Sequence, residues 1–208
     1  MSDETIADST GHFLSSAEIS DAARAIYDED IAEVGFVMNA SRLWAHQPEA
    51  GAGLFSLMTQ VTSGRPFTLR ECGILVTASA SALGDSYCSL AWGTKLARKA
   101  SPELAAGVLR GDDVGLTAQE RAMAEWARLV VRNPGASTAQ DVQSLRDAGF
   151  SEEDILAMTL YIGLRVALAT VHDALGACPD AEFKTAAPPE VLNAVTYGRP
   201  MAAGPTAS

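Results

Sequence analysis

Residues Thr68 to Ala97, TLRECGILVTASASALGDSYCSLAWGTKLA, read as helix, glycine break, helix. In the first half Leu69, Cys72, Ile74, Leu75, Ala78 and Ala82 recur at helical spacing, and Gly84 suits the residue just past a helix end. In the second half Asp85 or Ser86 can cap the next helix, which places Cys88 in its first turn. Bare N–H groups and the helix dipole favour a thiolate there, whereas a carboxylate at Asp85, one turn away, opposes it. Spacing alone does not set the sign of the balance. The rest of the chain reads as helices packed around this pair.

Upstream, residues 1–14 lack apolar periodicity and are expected to form a flexible tail. A first helix is predicted from Ser16 to about Asp28, capped by Ser15 or Ser16, with Ile19, Ala22, Ala23 and Ile26 on one face. Val34 to Glu49, VGFVMNASRLWAHQPE, is expected to carry a helix that Pro48 ends, because the residue before a proline resists the α conformation. Gly53 to Thr62 reads as a short amphipathic helix, and Ser63-Gly64-Arg65-Pro66 as its turn into the central pair.

Downstream, the helix carrying Cys88 is predicted to run to about Lys99, and Ser101-Pro102 to open a helix that Gly111-Asp112-Asp113 closes. Thr117 and Glu120 form a capping box for a helix to about Arg132, with Ala122, Trp126, Leu129 and Val130 facing inward. Asn133-Pro134-Gly135 stops it. Ser137 or Thr138 caps a short helix to Asp147, and Ser151 with Asp154 caps the longest, ending at Gly176. The last part is rich in Pro, Ala and Gly, and its PPEVLNAV supplies one helical turn or two. The expected organisation is a tail over 1–14, one all-α domain over 15–183 and a C-terminal arm or tail over 184–208.

Composition bounds the function. With 208 residues, 48% of them hydrophobic and 20% charged, the chain can bury a real core. A formal net charge of −11 argues against nucleic acid or an anionic membrane as a partner, since phosphates reward Lys and Arg. Three cysteines, at 72, 88 and 178, form no disulfide framework and fit a reducing compartment. The polar, acidic N-terminus does not read as a secretory signal. The most apolar run, about Ile155 to Ala174, is interrupted by Arg165 and His172, so no membrane span is expected and a cytoplasmic protein is. Scattered histidines give no metal site, and without a Gly-rich phosphate loop no nucleotide cofactor is implied, so none of either is expected.

Arg70-Glu71 at one helix start, then Tyr87-Cys88 at the next with Ala91 following, resemble the core of the carboxymuconolactone decarboxylase and alkylhydroperoxidase D superfamily. Asn39, Arg42, Ala45, His46 and Pro48 resemble a second segment of it, and Leu116 to Gly176 is similar to its peroxidase-related branch. The likeness covers roughly residues 32 to 183. In the peroxidase branch the pattern is a Glu, then Cys-x-x-Cys, then a His four residues on. Glu71 matches the Glu and Cys88 the second, peroxide-attacking Cys; Asp85 stands at the first Cys and Trp92 at the His. The interval from 71 to 88 is about two residues longer than the pattern. Asparagines and an arginine usual near the end of the long helix are replaced by Val166, Ala169 and Thr170, with Arg165 displaced.

The resemblance implies an alkylhydroperoxidase D-like helical bundle, a homo-oligomer, and a single-cysteine peroxidase that reduces hydroperoxides with an external thiol as reductant. Cys88 is then the nucleophile, or else a small buried residue, as most free cysteines are. Glu71 is the base for its proton, or else a first-turn carboxylate that stabilises the helix start. Asp85 reads best as an N-cap, Tyr87 as core, and Trp92 as a pocket wall whose N–H can donate. His46 and His172 are the remaining acid–base candidates. Two other readings stay open. One is a decarboxylase-like lyase on a small carboxylated lactone, which requires Arg70, Arg42 or Arg165 to face the pocket. The other is a non-catalytic oligomeric binding protein.

Overall fold

A computed structural model describes residues 11–203. Among these the chain is helical, without strands: α1 (Asp21–Val34), α2 (Asn39–Trp44), α3 (Pro48–Val61), α4 (Leu69–Leu83), α5 (Ser86–Lys99), α6 (Pro102–Arg110), α7 (Ala118–Arg132), α8 (Ala139–Asp147), α9 (Glu152–Ala174), α10 (Phe183–Ala186) and α11 (Pro189–Ala194), with a 3-10 turn at Pro134–Ala136.

Side-chain capping sets most of these boundaries. Thr68 with Glu71, Thr117 with Glu120, Thr138 with Asp141 and Ser151 with Asp154 each close a reciprocal capping box. Each box satisfies N–H groups that a helix start leaves bare. Ser101 caps α6 just ahead of Pro102, and Gly84 ends α4 at φ 77°.

Several predicted boundaries move, among them the start of α3, at Pro48 and not Gly53. The cap of α1 is Ser20, whose Oγ accepts the Ala23 N–H at 3.2 Å, and the helix runs on to Val34. Ser15 and Ser16 lie in the extended lead-in. Pro48 opens α3 instead of ending a helix, since a residue without an N–H fits the first helical position, and the preceding helix stops at Trp44.

Helix α4 is the axis of the core, buried from Gly73 through Ala80 and packed by α5, α6, α7 and α9. At Gly73 a Cβ would lie 3.1 Å from the Leu96 Cβ, so the missing side chain lets α4 and α5 close on each other. Ile74, Leu75, Leu96, Met123, Met158 and Ile162 are fully buried around this axis, each contributing about 1.5–3 kcal/mol of burial.

Both expected domain edges shift outward, because residues on either side of 15–183 pack on the core. Residues 1–10 and 204–208 lie outside the described residues, but 11–14 do not behave as a tail: Phe13 N–H donates to the Leu175 carbonyl, Cys178 N–H donates to that of Gly11, and His12 is buried. At the other end Val191 of α11 is fully buried and packs with α6 and α5, so much of the predicted arm completes the core. Helix α9 is long and apolar enough to cross a bilayer by length and composition, contrary to the expectation from its sequence. In the fold it lies against α3, α4 and α7, with Leu156 and Leu160 left exposed.

Candidate functional site

Asp85 and Cys88 owe their positions to the tight α4–α5 connection. Gly84 takes the left-handed conformation, which turns the chain back so that α5 starts beside the end of α4. Asp85 caps α5, its Oδ1 accepting the Cys88 N–H at 3.0 Å. The capping geometry holds the carboxyl and thiol against each other in the first turn. Ser79 and Leu83 of α4, with Arg165 and Val166 of α9, border a shallow, half-open hollow beside them. A second hollow on the other side of α5, between Phe36, Met38, Phe183 and Lys95, has neither cysteine nor carboxylate in its wall.

Burial dominates the electrostatics. Asp85 is fully buried, its Oδ2 has no hydrogen-bond partner among the described residues, and desolvation pushes its pKa up to about 6. The N–H of Cys88 counters part of that rise, and the charge of Asp173 adds to it. Burial also raises the Cys88 thiol well above its ordinary value, and the Asp85 carboxylate raises it further. Arg165 pulls in the opposite direction with the smaller effect. Helix-start stabilisation of a thiolate therefore loses to desolvation and to the neighbouring carboxylate, and the proton stays on sulfur.

The structure does not bring Glu71 to this hollow. Glu71 is in the first turn of α4, whereas Cys88 meets α4 near Ser79, roughly 12 Å further along the helix at 1.5 Å per residue. Its carboxylate accepts the Thr68 N–H and Oγ at 2.8 and 2.9 Å and pairs with Arg65. Burial would raise its pKa, but the bonds from Thr68 and Arg65 outweigh burial and hold it below the usual value. The predicted base is thus the capping carboxylate of the alternative reading. An interval two residues shorter would end on Gly73, which has no side chain to offer.

Tyr87 is core, as its apolar setting predicts. It donates to Asp180 Oδ2 at 2.7 Å and accepts the Ala40 N–H, while Asp180 Oδ1 accepts the Asn39 N–H. This network ties α2, α5 and the loop after α9 together, away from the hollow. His46 is exposed, with Nε2 3.0 Å from the Ser15 carbonyl, and does not reach the hollow. His172 is buried and accepts the Trp44 indole N–H at Nε2, which puts its proton on Nδ1. Desolvation, aided by Arg165, lowers its pKa to about 4 and keeps the ring neutral. Trp92 does not line the hollow; its ring lies behind Arg165, with the guanidinium carbon 4.6 Å from the ring centroid.

Of the three arginines a carboxylate substrate would require, Arg70 is bound to Glu120 at 2.5 Å and Arg42 to Asn39 at 2.8 Å, and only Arg165 lines the hollow. Ser79 was not foreseeable as a lining residue, because one serine in an alanine-rich helix looks like any other. Tyr197 was also missed: its hydroxyl donates to Ser89 Oγ at 3.0 Å, and the segment around it covers the start of α5. Among the described residues no group of three or more His, Cys, Asp or Glu side chains is placed to hold a metal.

No protein-family model matches the chain, and no curated protein matches it in sequence. Solved structures do. One is the alkylhydroperoxidase AhpD core of an uncharacterized peroxidase-related protein from Ralstonia eutropha JMP134, at 21% identity and a TM-score of 0.70, with 90% of this chain and 98% of that one covered. Another is an uncharacterized peroxidase-related protein from Silicibacter sp. TM1040, at 18% identity and a TM-score of 0.73, with 84% and 95% covered. The helix order, the α4–α5 pair and this agreement over nearly the whole chain give the protein the alkylhydroperoxidase D-like fold.

Proposed function

We propose that the hollow between α4, α5 and α9 is a catalytic site that works by proton transfer through Asp85 on a small organic substrate, as a decarboxylase-like lyase would. The observation that carries this reading is the Asp85 carboxyl: fully buried beside the Cys88 thiol, with its pKa pushed up to about 6 by desolvation. Both of its protonation states are populated near neutral pH, which acid–base catalysis requires. In a decarboxylation the C–C bond breaks, carbon dioxide leaves, the electron pair remains on the substrate carbon, and Asp85 supplies the proton that quenches it. No thiolate takes part. The test is carbon dioxide release from a panel of small carboxylated lactones by the parent and by Asp85→Asn. Turnover lost in the variant supports the reading; turnover unchanged in the variant overturns it.

Cys88, which lines the same hollow with its thiol against Asp85, supports a second reading: a single-cysteine, thiol-dependent peroxidase. Asp85 replaces Glu71 as proton acceptor in that scheme. The sulfur attacks a hydroperoxide oxygen, the O–O bond breaks, an alcohol or water leaves, and the resulting sulfenic acid is reduced by an external thiol. The raised thiol pKa makes this the slower chemistry. Intact mass after exposure to equimolar hydroperoxide with a sulfenic-acid trap decides it: an adduct on Cys88, absent from Cys88→Ser, supports the peroxidase, and an unmodified Cys88 in folded protein removes it. Absence of both activities favours the binding-protein reading. A homo-oligomer belongs to each reading, with exposed Leu156 and Leu160, one turn apart on α9, as the face for a second copy; light scattering at micromolar concentration tests it.

A further inference from the structure

The chain that follows α11 crosses over the start of α5. Val191 anchors α11 in the core, and at Val195 the backbone leaves the helix in an extended conformation. From Val195 to Ala203 the segment forms no helix, and none of its residues is buried. Asp85, Ser86 and Ser89 beneath it all are.

A few contacts hold the segment down. The Tyr197 hydroxyl donates to Ser89 Oγ at 3.0 Å, and Ser86 Oγ donates to the Arg199 carbonyl at 2.8 Å. Between these two bonds Gly198 takes φ 74°, and a Cβ there would lie 2.6 Å from the Gly84 carbonyl oxygen. Only a glycine lets the segment settle onto the α4–α5 turn. Arg199 then acts as a latch: its Nη2 donates to the Asp173 carbonyl at the end of α9, and its guanidinium carbon lies 4.9 Å from the Phe13 ring centroid. The Ala202 N–H donates to the Pro179 carbonyl at 2.8 Å.

These ties can be exchanged for water. Each joins groups that become solvated when the segment lifts, so opening strands no polar group in the core, and no buried side chain has to leave it. Segments held in this way open at low local free energy. What lies beneath needs such an opening. Asp85 is fully buried, Cys88 is 8% exposed, and the hollow on the α4–α9 side is shallow. Burial raises the Tyr197 hydroxyl above its ordinary pKa and the Asp85 charge adds to the rise, in keeping with a ring that lies close to the pair.

We propose that residues 195–203 form a strap that gates Asp85 and Cys88, sealing them when closed and swinging about Val195 to admit reactants. This rests on the Asp85–Cys88 pair being the reactive centre and adds how that centre is reached.

Alkylation with N-ethylmaleimide, mapped by peptide mass on the full chain, reads access at each cysteine without turnover. Cys72, in the first turn of α4, is the internal reference. Gly198→Val, whose side chain cannot fit over Gly84, raises the Cys88 rate by about tenfold or more and leaves Cys72 within about twofold. Tyr197→Phe and Arg199→Gln each remove one tie and raise the Cys88 rate by about threefold. Circular dichroism checks folding, and the two milder variants carry the test if Gly198→Val does not fold. A Cys88 rate unchanged in the folded variants overturns the strap, and so does a rise shared equally by Cys72, which marks general loosening. Unchanged turnover in Asp85→Asn removes the proton-transfer reading without touching this readout, so the two failures are told apart.

Discussion

The two helix starts of the central pair are built from the same parts and end in opposite chemical states. At α4, Glu71 completes a capping box with Thr68 and pairs with Arg65, so every strong acceptor site is engaged and the carboxyl stays below its usual pKa. At α5, Asp85 also caps, but only Oδ1 is used; Oδ2 is buried without a partner, and desolvation lifts the pKa to about 6. A carboxylate that is satisfied stabilises structure. One that is buried and half satisfied is held near neutrality, ready to gain or lose a proton. The motif carboxylate at Glu71 is thus the structural one, and in the reading proposed above the carboxylate that reads as a mere cap is the one that exchanges a proton.

Substitution at the two positions should separate them. Asp85→Asn keeps the acceptor for the Cys88 N–H and removes the titrating oxygen, so turnover by the hollow should fall about 10²–10⁴-fold, read as initial rates on the active substrate. Cys88→Ser comes next and sharpens the choice of chemistry. The proton-transfer reading expects a change of about threefold or less, within the ordinary scatter of a near-isosteric swap, while the peroxidase reading expects complete loss. Thr68→Ala and Glu71→Gln should leave rates within about twofold while costing about 1 kcal/mol and about 0.5–1 kcal/mol of stability by urea unfolding. A large rate loss in Glu71→Gln with stability intact would break the comparison.

The pH dependence of stability carries the same contrast with a definite sign. Asp85 and Asp180 both have folded pKa values of about 6 against an ordinary 3.8, so the folded chain binds their protons first. Their contribution is fully present below about pH 4 and is lost as pH rises through 6. His172, lowered to about 4, acts in the other direction: its contribution holds above pH 6.5 and is lost as pH falls through 4. Asp85→Asn should therefore gain about 1–2 kcal/mol over the parent at pH 7.5, the relief of a roughly 3 kcal/mol ionisation penalty less the cost of a buried amide N–H. At pH 4 the relief shrinks to about 0.5 kcal/mol while the amide cost remains, so the variant should be less stable than the parent by about 0.5–1.5 kcal/mol. Urea unfolding of both proteins at pH 7.5, 6, 5 and 4 reads the difference.

Much of the fold was legible in the sequence because it is set locally. Thr117 with Glu120, Ser151 with Asp154, Ser101 before Pro102 and Gly84 all announce helix ends through nearest-neighbour chemistry, and all four stand where predicted. Pro48 was read with the wrong sign, because proline both disfavours the residue before it and suits a helix start, and only the packing of α3 decides. The C-terminal segment was underrated for a similar reason. Its Pro and Gly content looks like a tail, but Val191 finds a place between α5 and α6 that no local pattern shows. The site was less legible still. Cys88 and Asp85 were visible as a pair, yet their protonation depends on burial by α9, and Arg165 stood out only after its competitors Arg70 and Arg42 were seen to be bound elsewhere.

The central claim is that Asp85, and not Glu71, is the carboxyl poised to exchange a proton. Side-chain carboxyl NMR on protein labelled with ¹³C at aspartate and glutamate, titrated from pH 3 to 8 with Asp85→Asn for assignment, tests it directly. The account predicts an aspartate resonance titrating near pH 6 that disappears in Asp85→Asn, and a Glu71 resonance still ionised below the ordinary glutamate range. An Asp85 that titrates near 4, or a Glu71 that titrates near 6, would contradict it.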